Sequence, residues 1–134
     1  MANYVLDSYA LLAYFRDEKG GEKVEQLLAD AAADKHELYL TNINAGEVYY
    51  MSHRKDGLAK AELAWKAMKQ FPIHIVDTDL DFTLAVAKLK AKYSISFADA
   101  FAAALAIKRK ATLITGDDKF DALDSEPNLK VKYL

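Results

Sequence analysis

The chain has 134 residues, 52% of them hydrophobic, with 18 Lys and Arg against 20 Asp and Glu and a formal net charge of −2. That size and composition predict one domain over 1–134 that buries a core without a staple, and the absence of Cys excludes disulfides, zinc thiolate sites, iron-sulfur clusters and thiol nucleophiles. The charge argues against a broad basic face for nucleic acid, and with no basic leader and no apolar run of about 18 residues the reading is a soluble cytoplasmic protein without a membrane span.

Tyr4 to Asp7 reads as a first strand that closes on an acid, and apolar spacing then predicts helices over Ser8 to Arg16 and Glu22 to Ala33, parted by Gly20-Gly21. A strand over Leu38 to Thr41 leads to helices at Asn44 to Arg54 and Leu58 to Phe71, broken at Asp56-Gly57 and stopped by Pro72. Ile73 to Val76 is the third strand. Asp79 caps a helix over Leu80 to Tyr93, another runs from Phe97 to Arg109, and strands at Thr112 to Thr115 and Lys130 to Tyr133 complete the chain. Strands alternating with helices imply right-handed crossovers and a parallel sheet covered on both faces, a three-layer α/β/α sandwich. Pattern alone leaves the connectivity open.

Placement singles out four of the acids. Asp7 and Asp117 each follow an apolar run of strand length, and the carboxyl ends of parallel strands are where open α/β sheets hold ligands. Glu47 and Asp99 stand inside apolar helical stretches, where a lone charge is costly without a cation or hydrogen bonds. The four read as one metal site, and hard carboxylate oxygens favour Mg²⁺, with Mn²⁺ as a substitute. Two such cations would reverse the sign of the net charge where a phosphate would lie.

Other features have blander readings. His36, His53 and His74 lack metal-ligand spacing, and no G-x-S-x-G elbow or phosphate-binding Gly loop occurs. Asp77 and Asp79 read as helix caps in preference to the acidic pocket of a phosphoacceptor receiver domain, and Asp118 as the cap of a short helix at Lys119-Phe120. Gly116 is read as freeing the turn beside Asp117. Arg16 and Lys119, just past acidic motifs, are the candidates for steering a phosphate backbone. Tyr9, Tyr14, Phe15, Tyr49 and Tyr50 cannot all be buried on one helix face, which leaves some to line a groove for a partner peptide or to stack on bases.

The stretch Ile95-Ser96-Phe97-Ala98-Asp99-Ala100-Phe101-Ala102-Ala103-Ala104-Leu105-Ala106, followed by Ala111 to Phe120 with Thr115-Gly116-Asp117-Asp118, resembles the C-terminal half of PIN domains. Leu6-Asp7-Ser8 and Thr41-Asn42-Ile43-Asn44-Ala45-Gly46-Glu47-Val48 resemble the family's first two acidic motifs, and the likeness covers nearly the whole chain at the length of the VapC-type toxins. The resemblance implies a five-stranded parallel sheet of order 3-2-1-4-5. It also implies a metal-dependent endoribonuclease, with Asp7, Glu47, Asp99 and Asp117 at the acidic positions and Ser8 and Thr115 at the supporting hydroxyls. The implied reaction is attack of activated water on an RNA phosphodiester, leaving a 5′-phosphate and a 3′-hydroxyl. Asp7 and Asp99 would be the principal ligands, Asp117 close behind, and Glu47 a ligand through water or a base that orients it. The implied partners are an antitoxin protein and a second copy in a homodimer. The alternatives are a PIN ribonuclease that processes RNA without an antitoxin, a catalytically silent PIN-like binding module, and a receiver-type phosphoacceptor at Asp77.

Overall fold

In a computed structural model that describes residues 2–116 and 118–134, five strands form one parallel sheet: β1 (Ala2–Leu6), β2 (His36–Thr41), β3 (His74–Val76), β4 (Thr112–Thr115) and β5 (Lys130–Tyr133). Their order is β3-β2-β1-β4-β5. β1 is central: Tyr4 pairs with Leu38 on one side and with Thr112 on the other. This order matches the one implied by the resemblance to PIN domains and excludes the receiver reading, whose strands run 2-1-3-4-5.

Six α-helices, α1 (Ser8–Phe15), α2 (Gly21–Ala32), α3 (Asn42–Asp56), α4 (Leu58–Gln70), α5 (Leu80–Lys92) and α6 (Phe97–Arg109), lie among the described residues, with a 3-10 helix at Asp118–Leu123. Successive side chains of a strand leave opposite faces of the sheet, so each strand feeds two cores. On one face Val5 and Leu113 pack with Phe82, Val86 and Leu89 of α5 and with α6. On the other, Leu6, Leu38, Leu40 and Ile114 pack with Ala10 and Leu11 of α1, Val24 and Leu28 of α2, Val48 of α3 and Met68 of α4.

The most buried helix is α6, in which every residue from Ala100 to Ala106 is buried. Five alanines in that run let α3, α5 and three strands all approach it, and a helix apolar on every side needs such company. Burial of this kind stabilises by about 25 cal/mol per Å² of apolar surface.

Two junctions place the site. Asp7 is not the last residue of β1 but the N-cap of α1, its Oδ1 accepting from the Ala10 N–H at 2.8 Å. Thr41 closes β2 and also caps α3, its Oγ1 accepting from the Asn44 N–H at 2.9 Å, so α3 begins at Asn42, two residues before the apolar spacing predicts. Both strands turn into helices with no loop between, which aims the first turns of α1 and α3 across the carboxyl end of the sheet. Gly57, between α3 and α4, has φ of 95°, a backbone that favours glycine.

Candidate functional site

The first turns of α1, α3 and α6 meet at the carboxyl end of the sheet, and Asn44 joins them. Its side chain is fully buried. Its Nδ2 donates to Ser8 Oγ at 3.1 Å and to the Ala98 carbonyl at 3.2 Å, and its Oδ1 accepts from Thr41 Oγ1 at 2.5 Å. Ser8 Oγ in turn donates to the Asn44 carbonyl at 3.3 Å. Ser8 follows Asp7, and Ala98 precedes Asp99. The amide therefore fixes the backbone beside two of the predicted acids, and Glu47 stands one helical turn beyond Asn44 on the same side of α3.

Burial and helix direction set the electrostatics. Asp7 is 1% exposed, a carboxylate kept inside the protein by the Ala10 N–H and by the positive end of α1. Asp99 lies in the first turn of α6, where Ser96 Oγ accepts from the Asp99 N–H at 3.1 Å, so it too meets a helix N-terminus. Glu47 is half-buried. Asp117 lies outside the described residues. Among the described residues no three His, Cys, Asp or Glu gather closely enough to hold a metal ion. What the described part offers is Asp7 and Asp99 on elements pinned by one amide, all-oxygen donors of the kind a hard divalent cation takes.

The supporting residues divide. Ser8 serves the Asn44 network and not a carboxylate rotamer. Thr115, the last residue of β4, is fully buried, and its carbonyl accepts from the Leu134 N–H at 2.8 Å. Lys119 is exposed in the 3-10 helix, which begins at Asp118. Arg16 stands elsewhere. It caps the far end of α1, an eight-residue helix about 12 Å long, where its Nε faces Asp56 at 3.6 Å and its Nη2 donates to the Met51 carbonyl at 3.4 Å. That pairing takes the guanidinium away from the acids, so phosphate steering by Arg16 is corrected to a clamp between α1 and α3.

The turn that Gly116 is read as freeing runs into Asp117, outside the described residues, and what the structure shows of Gly116 is its contact with Tyr9. A Cβ there would fall 2.3 Å from Cε1 of Tyr9, so any larger residue would have to push the exposed Tyr9 ring aside. Of the other aromatic residues, Tyr14 and Phe15 pack on Phe71, and Tyr49 donates to Glu62. Asp79 caps α5 as predicted, accepting from the Phe82 N–H at 2.8 Å. The residue that sequence reading missed is Asn44. A polar residue three positions before an acid at a helix start was its only signal.

No helix among the described residues is long and apolar enough to cross a membrane. No curated protein sequence matches the chain. Among solved structures the fold is similar to Rickettsia felis VapBC2 bound to a DNA fragment from its promoter, at 19% identity and a TM-score of 0.74 over 98% of each chain. It is similar to DNA-bound VapBC from Salmonella typhimurium, at 14% identity and a TM-score of 0.75 over 99% of this chain and 98% of that one. It is similar also to Mycobacterium tuberculosis VapC20, a sarcin-ricin loop cleaving toxin, at 16% identity and a TM-score of 0.73 over 92% of this chain and 95% of that one. Residues 4–126 match the family described as PIN domain, nearly the whole chain and both cores with it, and the protein belongs to the PIN domain family.

Proposed function

We propose that the protein is a divalent-metal-dependent endoribonuclease and the toxin of a toxin-antitoxin pair. The observation that carries this reading is the Asn44 side chain, bonded beside Asp7 through Ser8 and beside Asp99 through Ala98, which brings acids from two distant stretches of chain to one end of the sheet. Membership of the PIN family and the likeness to VapBC and VapC structures support it.

In this reading Asp7 and Asp99 hold Mg²⁺, or Mn²⁺ in its place, with Asp117 as a further ligand and Glu47 reaching the ion through water. A bound divalent cation supplies a more acidic water and offsets charge on the leaving oxygen. The chain's own part would be to set Asp7 and Asp99 beside the N-termini of α1 and α6, whose dipoles favour negative charge, and to let Glu47 orient or deprotonate the attacking water. Ser8 and Thr115 act as supports, Ser8 through Asn44. Lys119, exposed just after β4, would steer the phosphate backbone in this reading.

For the antitoxin, the receiving surface in this reading is the groove between α1, α3 and α4, a cavity of about 340 Å³ lined by Tyr14, Phe15, Leu63 and Phe71. Homodimerisation belongs to the same reading, and Leu80 and Leu84, exposed one turn apart on α5, offer apolar surface for it. A processing ribonuclease without an antitoxin would keep the same acids and lack a partner encoded beside it.

The test is cleavage of structured RNA by pure protein with Mg²⁺ or Mn²⁺, beside Asp7→Asn. Asn caps a helix as well as Asp does, so this change removes charge and leaves α1 intact. Cleavage by the parent alone, stopped by a chelator, supports the assignment; equal cleavage by both proteins points to a contaminant and ends it.

A further inference from the structure

Four aromatic side chains are exposed among the described residues: Tyr9 at 44%, Tyr50 at 47%, Phe97 at 46% and Tyr133 at 40%. Three stand within three positions of a site acid, since Tyr9 follows Asp7 by two, Tyr50 follows Glu47 by three and Phe97 precedes Asp99 by two. They are not equally available. Arg54 covers the Tyr50 ring at 5.5 Å, Phe97 packs on Phe101 with ring centroids 5.1 Å apart, and Tyr133 gives its hydroxyl to Asp121 at 2.7 Å. The Tyr9 ring is engaged along one edge, by Gly116, and no cation or ring covers its face among the described residues.

We propose that Tyr9 is a substrate-binding residue for RNA, a ring lying against Gly116 on whose open face a base next to the scissile phosphate stacks. The inference rests on the nuclease reading above and assigns one side chain of this chain to hold the base beside the cut. An aromatic ring has only two side-chain torsions to lose when a base lands on its face, and each base offers a face of that kind. A base inside a duplex has both faces covered, so a loop or bulge presents what Tyr9 takes. The ring lies against Gly116, the residue that follows β4, and Asp7 caps α1 at the same carboxyl end of the sheet, so a base stacked on Tyr9 sits at the end where the acids are placed.

The test uses a synthetic hairpin RNA carrying the bond that the protein cuts, and the same hairpin with each nucleotide flanking that bond made abasic in turn. The parent loses roughly tenfold in kcat/KM on one abasic hairpin. Tyr9→Ala cuts the intact hairpin about that much more slowly, through KM with kcat held, and is indifferent to the abasic change; Tyr9→Phe keeps the parent's sensitivity to it. Thermal melts matching the parent's show that the variants are folded. If Tyr9→Ala handles the intact hairpin as the parent does, or stays as sensitive to the missing base, the proposal is overturned and the ring is left to a protein partner. A parent that cuts no RNA overturns the nuclease reading itself, a result separate from either of these.

Discussion

The two ends of α1 carry opposite charges into opposite kinds of surroundings. At the start, Asp7 is buried and accepts from the Ala10 N–H, next to Ser8, whose hydroxyl bonds the buried Asn44 where three helix N-termini converge. At the finish, Arg16 meets Asp56 and a backbone carbonyl of α3, a pairing that locks one helix to another. Both residues look equally suited to phosphate chemistry when read along the chain. Position on the helix separates them: one end of α1 meets the proposed acids at the carboxyl end of the sheet, and the other is tied to α3 beside the groove proposed for the antitoxin.

The largest effect that sharpens this contrast is at Asp7. Asp7→Asn lowers the rate of RNA cleavage roughly a hundredfold or more, measured in single-turnover assays, while far-UV circular dichroism stays that of the parent. Asn44→Ala comes next. It leaves Ser8, Thr41 and the Ala98 carbonyl short of a buried partner and costs about 3 kcal/mol in urea unfolding, and by loosening the elements under Asp7 and Asp99 it slows cleavage about tenfold. An Asn44→Ala protein as stable and as active as the parent would break the claim that one amide joins the acids.

Arg16→Ala tests the other end. The Arg16 and Asp56 side chains are 18% and 34% exposed, so water screens the pair and its loss costs about 1 kcal/mol or less, with cleavage unchanged within error. A large fall in cleavage would return Arg16 to the site. The smallest effect is at Tyr133, whose phenol pKa is raised above its ordinary 10.0 by burial first and then by the bond to Asp121. The folded chain keeps that proton where the unfolded chain loses it, so the associated stability is fully present below about pH 10 and is lost as the solution becomes more alkaline. The Tm gap between the parent and Tyr133→Phe therefore narrows above about pH 10 in a melting series, and a gap that is constant with pH would show the phenol uninvolved.

Much of the fold was legible because apolar periodicity is read directly from composition along the chain. The bounds of α6, β4 and β5 coincide with those the spacing predicts, since each is a run whose apolar residues leave no competing period. The start of α3 was not legible, because Asn42 and Asn44 look like solvated loop residues until Thr41 is seen to cap the helix. Strand order came from family resemblance, since the register between strands leaves no mark on periodicity. In the proposed site, Asp7 and Asp99 were singled out by their positions after a strand and within an apolar helix. Asn44 was not, because its role lies in bonds to residues 36 positions before it and 54 after it. Gly116 shows the same limit, a glycine that lies against a ring more than a hundred residues away.

The central claim is that Asp7 and Asp99, joined through Asn44, belong to one cation pocket. Differential scanning calorimetry of the parent and Asp99→Asn with and without Mg²⁺ tests it without reference to any RNA. A resident cation at about a hundredfold over its Kd adds about 2.7 kcal/mol to the folded state, so the parent's Tm rises by several degrees and that of Asp99→Asn by much less. Equal rises in the two proteins, or none in the parent, would contradict the pocket and the mechanism built on it.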